Sequence, residues 1–392
     1  MGETLFERTI DALEDIGITN IVIVHNEDST ARQIVDQKKY AGIDFTYVSL
    51  PKPEGMASAL LAAREYLDDT FFLLTGYHFD IADFAASIND ASVAAEAVLL
   101  VKKKESFDTS GVVALEGNKV TGVIEKPRKE DAPSNYGIVG IYLLSKSLLP
   151  FLEKISQSDT QFEEAISEFA RSHNVYAVKT EKETLGLKYP WDLFSIKDYL
   201  FVHMDFHRDP SAQIAKSAEI TGDVFIGADA KIMEGAKIKG PCYIGKNVTV
   251  GTNALVREGS VLEDDVKVGA NMEIRNSVLG RGTTTHSGFI GDSIIGEYNK
   301  IAGDISTGNV RLDRGEISVM VKDKKITTGK NRLGIVTGSN VVVGIKVATM
   351  PGILIGSGAV IGPATVVKSN VPENAKYYTK FVEIVEEQHE KT

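Results

Sequence analysis

Aliphatic residues recur every sixth position through a long stretch of the chain: Ile214, Ile220, Ile226, Ile232, Ile238, Ile244, Val250, Val256, Leu262, Val268 and Ile274. A period of two would mark a strand and one of 3.6 a helix. A period of six marks a hexapeptide-repeat parallel β-helix, whose short strands turn their aliphatic side chains into a common core. Several of these residues precede glycine, as in Ile226-Gly227, Ile244-Gly245, Val250-Gly251 and Val268-Gly269. Glycine at these sites is expected to serve the turn after each rung by adopting positive φ. The pattern predicts a β-helix over 213–372. Its register slips after Ile274 and resumes in a new phase at Val343, Ile355, Ile361 and Val367. Between the phases lies a less regular stretch, 280–335, with a polar segment at 280–285 and basic residues at Lys322, Lys324, Lys325, Lys330 and Arg332.

The first half alternates differently. Residues 4–16 read as an amphipathic helix, 20–25 as a short buried strand, 56–66 as an Ala/Leu-rich helix and 71–75 as a strand. Further strands are expected at 98–102 and 137–144, and helices at 161–172 and 190–204. Such alternation predicts an α/β layered domain with a largely parallel sheet. The predicted organisation is an α/β domain at 1–205, a linker at 206–212 around His207-Arg208-Asp209-Pro210, the β-helix at 213–372, and a C-terminal tail at 373–392 whose charged end, 381–392, is expected to fray.

Composition narrows the function classes. The 392 residues exceed one ordinary core, and 43% hydrophobic with 25% charged residues is globular. No apolar run approaches the ~18 residues of a membrane helix, and the first ten residues lack the form of a signal peptide. The single cysteine, Cys242, excludes an internal disulfide framework and a cysteine-based zinc site. These features predict a cytoplasmic protein without a membrane partner. A net charge of −11 argues against nonspecific nucleic-acid binding. An anionic substrate would need locally clustered cations.

Specific motifs then carry a resemblance. His286-Ser287-Gly288-Phe289-Ile290-Gly291-Asp292-Ser293, Gly308-Asn309-Val310-Arg311-Leu312-Asp313 and Thr328-Gly329-Lys330-Asn331-Arg332-Leu333-Gly334 lie in the second half. Ile124-Glu125-Lys126-Pro127, Gly140-Ile141-Tyr142 and Tyr189-Pro190-Trp191-Asp192-Leu193 lie in the first. Over nearly its whole length the chain resembles the archaeal-type bifunctional sugar-1-phosphate nucleotidylyltransferase/amino-sugar-1-phosphate N-acetyltransferase family. The resemblance implies a Rossmann-like nucleotidyltransferase α/β domain followed by a left-handed parallel β-helix. It also implies a homotrimer, and acetyl-CoA and a sugar phosphate as substrates. The pantetheine arm of CoA would lie along the β-helix groove between neighbouring subunits.

The first domain departs from the family pattern. Nucleotidyl transfer needs backbone amides around the triphosphate, a divalent ion bridging phosphates, and carboxylates to hold that ion. The family's Gly-rich cradle at the start is missing, and residues 1–10 resemble the family segment just after that cradle. The metal-binding Gly-Asp appears as Gly76-Tyr77, the base-seating Gly-Thr-Ala as Gly55-Met56-Ala57, and the sugar-contacting Asn as Ile138. A second metal ligand aligns near Gly186. Asp80, read as lying on the same strand as Tyr77, would face the other way. These losses predict that nucleotidyl transfer is gone and that Mg²⁺ is needed only if it survives. Glu125 and Lys126 are either sugar-phosphate contacts or a remnant surface pair.

The second domain keeps the expected chemistry. Acetylating an amine needs a base, a place for the thioester oxyanion and cations for the phosphate. His286 matches the family's catalytic histidine, and histidine titrates near neutrality. Arg257 and Arg275 are one full coil apart and should stack as a guanidinium fork for a dianionic phosphate. The competing reading is two exposed arginines paired with Glu258 or Glu273. Asn309 resembles a residue that orients the acetyl group or amine. Lys330 and Arg332 either cover the phosphate or form a solvated basic loop. Asp292 ties a turn, and Phe289 and Val310 replace tyrosines. The leading reading is an acetyl-CoA-dependent N-acetyltransferase acting on hexosamine 1-phosphate, with an inactive nucleotidylyltransferase domain. The alternatives are a working bifunctional sugar-1-phosphate nucleotidylyltransferase with a truncated N-terminus, and a non-catalytic regulatory subunit partnering an active paralogue.

Overall fold

The computed structural model describes residues 1–27, 30–52, 54–104 and 110–385. The chain divides into two compact units, Glu3–Leu187 and Lys188–Thr392 together with Met1–Gly2.

In the first unit, the helix Leu5–Asp15 begins at a capping box in which Thr4 and Glu7 satisfy each other's backbone N–H groups. It buries Ile10, Ala12 and Leu13. Asn20–His25 pairs in parallel with Asp44–Ser49, a strand missed from sequence. Asn20–His25 is half-buried along most of its length rather than buried. The main sheet has six strands among the described residues, in the order Thr70–Leu73, Tyr136–Ser145, Ala97–Lys103, Val175–Thr180, Lys119–Glu125, Gly111–Glu116. The expectation of a largely parallel sheet fails here. Only Ala97–Lys103 with Val175–Thr180 is parallel. Tyr136–Ser145 runs antiparallel to both of its main neighbours, and Gly111–Glu116 forms a hairpin with Lys119–Glu125. That hairpin supplies antiparallel pairing that helix–strand alternation alone does not reveal. Helix Gln161–Phe169 covers the sheet with Phe162, Ala165, Ile166 and Phe169.

The second unit is a parallel β-helix. Its three faces hold nine, eight and seven strands among the described residues. Face 1 runs from Gln213–Ile214 to Lys376–Tyr377, face 2 from Glu219–Thr221 to Val366–Val367, and face 3 from Val224–Ile226 to Ile353–Ile355. The six-residue aliphatics from Ile226 to Ile274 fill one core, which continues through Val343, Ile355, Ile361 and Val367. Ile214 and Ile220, in the terminal coil, are less covered. The slip after Ile274 has a simple cause. Ile226, Ile244 and Leu262 pair at intervals of eighteen residues, whereas Leu262, Leu279 and Ile295 pair at seventeen and then sixteen. The corners shorten while the inward-facing strands stay in register.

Three boundaries move. The helix Leu193–His203 groups with the β-helix unit, so the first unit ends at Leu187 rather than 205. Trp191 and Phe194 pack with Ile294, Ile317, Val319, Leu333 and Val336. The expected linker already belongs to the coil, because Arg208 bridges Ile226 and the Asp209 N–H donates to Ile226 O at 2.8 Å. At the other end, Lys376–Tyr377 pairs with Val360–Ile361, so the coil passes 372. Residues 381–385 are exposed and irregular, and the rest of the expected frayed tail lies outside the described residues.

The glycine expectation is also corrected. Gly227, Gly245, Gly251 and Gly269 do not have positive φ. A Cβ on Gly251 would lie 2.7 Å from the Gly269 carbonyl carbon of the next coil. These glycines permit close stacking of coils. Positive φ falls instead on Asp229, Asn247, Asn253, Asp265 and Asn271, the residue types that tolerate it best after glycine.

Candidate functional site

Face 2 places the predicted residues of the second unit along its two edges. Strand Gly288–Gly291 pairs with Met272–Arg275 in the register Met272 with Gly288, Glu273 with Phe289, and Arg275 with Gly291. His286 precedes this strand at the corner between faces 1 and 2. Its backbone N–H donates to Ile301 O at 3.1 Å, and its side chain is exposed. At the opposite corner, Arg257, Arg275, Asp292 and Asn309 follow one another on successive coils. The strand between the edges spans on the order of 10 Å at ~3.3 Å per residue. Glu273 and Phe289 stand on the outer surface between them. Phe289 lies over Gly291, where a Cβ would also come within 2.9 Å of Asn309 Nδ2.

The arginines do stack in backbone register, because the Arg257 N–H donates to Ile274 O at 2.8 Å. Their guanidiniums do not form the expected joint fork. Arg257 reaches Glu273 at 3.2 Å and Glu258 at 3.5 Å, as in the competing reading. Arg275 instead bonds Asp292 at 2.6 Å. Local carboxylates capture each cation before the two can converge.

Asp292 does more than tie a turn. It is 2% exposed, and its oxygens accept from Arg275 at 2.6 Å, Asn276 at 2.8 Å and Asn309 at 2.5 Å. Asn276 accepts in turn from Lys197 at 3.0 Å. Neither Asn276 nor Lys197 was singled out from sequence. A signal for Lys197 existed: Phe194, Lys197 and Phe201 fall at i, i+3 and i+7, which puts the lysine on the apolar stripe.

The basic excursion splits. It leaves the coil after Asn309, forms a hairpin of Ser318–Val321 with Lys324–Thr327, and returns where the Leu333 N–H donates to Asn309 O at 3.0 Å. Arg332 is therefore next to the Asn309 backbone and exposed. Lys330 lies over the Phe194 ring, 5.6 Å from its centre. Lys197 lies 5.9 Å from the same ring centre. Lys330 thus anchors the excursion on the helix and adds positive charge to the same edge of the unit.

In the α/β unit the predicted residues separate. Gly55 and Gly76 line a cleft of about 530 Å³ with Ile23, His25, Thr30 and Leu50. Asp80 lies in a short 3₁₀ turn, Phe79–Asp83, rather than on a strand. Its carboxylate is fully buried, bound to His78 Nδ1 at 3.0 Å and to the Leu185 N–H at 2.8 Å, and so is committed internally. Tyr77 packs against the His78 ring, with centres 4.6 Å apart. Glu125 and Lys126 pair at 2.6 Å. Burial pushes the nearby Glu163 carboxyl up to about 7, and the Glu125 charge adds to this. Burial likewise raises Tyr142, with Glu163, Glu125 and Tyr77 contributing. Among the described residues, no group of three or more His, Cys, Asp or Glu side chains is placed to hold a metal ion. No helix among the described residues is long and apolar enough to cross a membrane.

Comparison with known proteins agrees with both halves. A nucleotidyl transferase family model matches residues 1–208, and a bacterial transferase hexapeptide model matches 223–258. The bifunctional protein GlmU of Methanococcus maripaludis is 35% identical over 97% of this chain and 90% of its own length. The bifunctional sugar-1-phosphate nucleotidylyltransferase/acetyltransferase of Sulfurisphaera tokodaii is 29% identical over 95% of this chain and 91% of its own. A UDP-glucose pyrophosphorylase structure from Acinetobacter baumanii aligns over 51% of this chain and 84% of that one, at 20% identity and a TM-score of 0.43. With an α/β unit, a hexapeptide β-helix and a relationship that runs through both, the chain belongs to the bifunctional sugar-1-phosphate nucleotidylyltransferase/acetyltransferase family.

Proposed function

We propose that the protein is an acetyl-CoA-dependent N-acetyltransferase acting on hexosamine 1-phosphate, glucosamine 1-phosphate in the first instance, within nucleotide-sugar biosynthesis. The observation that carries the reading is face 2 of the β-helix, with an exposed His286 at one edge and Arg275 and Asn309 at the other. The His286 imidazole takes a proton from the amine as nitrogen attacks the thioester carbonyl. The C–S bond then breaks, and the CoA thiolate leaves with a proton returned from the imidazolium. Arg275 binds the phosphate, assisted by Arg257, Lys330 and Arg332. Asn309 orients the amine or acetyl group. We infer a homotrimer, supported by aliphatic residues turned outward on the coil, including Val342, Ile345, Met350 and Val360.

The same proposal holds that the α/β unit no longer transfers nucleotides. It rests on Tyr77 in place of a carboxylate and on the internal commitment of Asp80. A second reading is a working bifunctional enzyme, favoured by relatives that bear bifunctional names and match along nearly their whole length. One pair of assays separates the readings. CoA release with glucosamine 1-phosphate supports the first activity. Chelator-sensitive pyrophosphate release from UTP or dTTP and a sugar phosphate supports the second. No acetyl transfer to any hexosamine phosphate would favour a regulatory subunit with an active paralogue. A monomer in sedimentation at micromolar concentration would count against the trimer.

A further inference from the structure

We propose that Asp292 is a positioning residue of the acetyl-transfer site, acting on the sugar phosphate through Arg275 and Asn309, with Lys197 fixing the arrangement from helix Leu193–His203. The inference rests on the acetyltransferase reading and adds residues to it.

The Asp292 carboxylate has no face directed at a ligand. Oδ2 accepts from Arg275 and Asn309, and Oδ1 accepts from Asn276. Its backbone is held as well: the N–H donates to Arg275 O at 2.9 Å, and the carbonyl accepts from the Gly334 N–H at 2.7 Å. A group so enclosed neither touches substrate nor takes its proton. Its effect falls on its partners. Arg275 gives one N–H to Asp292, and its side chain stays 22% exposed. Among the described residues its other donors have no side-chain acceptor, so they are available to an anion. Asn309 gives its Nδ2 to Asp292, which decides the orientation of the amide and leaves its oxygen to accept from an amine. One carboxylate therefore sets both a phosphate donor and an amine acceptor.

Lys197 completes the chain of contacts. Only 3% of it is exposed, and its ammonium donates to Asn276 Oδ1 and to Asp198. Holding the Asn276 oxygen turns the Asn276 NH₂ toward Asp292. A turn aspartate without such partners offers a control. Asp265, also at positive φ, accepts at 2.7 Å from Asn247 and meets no guanidinium.

The test compares Asp292→Asn, Lys197→Met and the control Asp265→Asn. Asparagine matches aspartate in shape and tolerates the positive φ at 292, but it places an NH₂ where donors point. Asp292→Asn should raise the KM for glucosamine 1-phosphate roughly 10–100-fold, as for loss of a charged hydrogen bond. The KM for acetyl-CoA should stay within about twofold. Lys197→Met should shift the sugar KM in the same direction by less, and Asp265→Asn should shift neither. In an Arg275→Ala background, Asp292→Asn should add under about threefold, because its effect passes largely through that arginine. Full additivity, or parallel loss for both substrates, would mean that Asp292 only holds the coils together. An unchanged sugar KM would overturn the proposal outright. If Asp292→Asn does not fold, Lys197→Met decides: an unchanged sugar KM then overturns it. Should wild type transfer no acetyl group, calorimetric titration with glucosamine 1-phosphate tests the binding site alone. Binding that weakens in Asp292→Asn upholds the positioning role while acetyl transfer fails. No binding to wild type overturns both.

Discussion

Asp80 in the α/β unit and Asp292 in the β-helix are both buried aspartates, yet they serve opposite ends. Asp80 is closed by His78 and a backbone N–H, and none of its partners reaches solvent. Asp292 is closed by side chains that do reach it. A buried carboxylate must be hydrogen-bonded in either case. What differs is whether its donors have other groups left to offer.

The sharpest way to break this contrast is to find nucleotidyl transfer. We expect none with UTP or dTTP and magnesium, and Tyr77→Asp alone should not restore it. Turnover above blank that a chelator abolishes would show that the α/β unit works after all. Next in size, His286→Ala should lower kcat for acetyl transfer by roughly 10²–10⁴-fold, with a smaller change in KM. Full activity in that variant would move the base elsewhere. Arg275→Ala should raise the sugar-phosphate KM about tenfold or more while sparing acetyl-CoA. Arg257→Ala should do less, because Glu258 and Glu273 already hold that guanidinium.

Two stability measurements sharpen the comparison further. Gly251→Ala should destabilise the coil by ~1–3 kcal/mol, since the new Cβ meets the backbone of the next rung. A neutral result would show that the coils part enough to admit a Cβ and that close stacking does not require glycine there. The smallest effect concerns Glu163. Its carboxyl is raised from an ordinary 4.5 to about 7, so the folded unit binds the proton more tightly than the unfolded chain. That contribution is fully present below 4.5 and is lost as pH rises toward and through 7. Glu163→Gln should therefore raise the melting temperature of the α/β unit at pH 8 and change it little at pH 4. Equal shifts at both pH values would refute the assignment.

The β-helix was legible because its period is intrinsic to the chain. Each inward position needs an aliphatic side chain, so Ile226 through Ile274 announce the core before any contact is known. The same pattern put Arg257 and Arg275 on successive rungs, and motif resemblance singled out His286 and Asn309. Strand direction in the α/β unit was not legible, because alternating patterns do not encode whether Tyr136–Ser145 runs with or against its neighbours. Corner chemistry was hidden for a related reason. A six-residue period fixes which side chains point inward, but corners of variable length decide which outward groups meet. Only the folded corners brought Arg275, Asn276 and Asn309 to one carboxylate, and only packing of helix Leu193–His203 buried Lys197 beside them. Inward burial is dictated residue by residue by hydrophobicity, whereas partner choice among polar groups depends on distances that exist only after the coils have stacked.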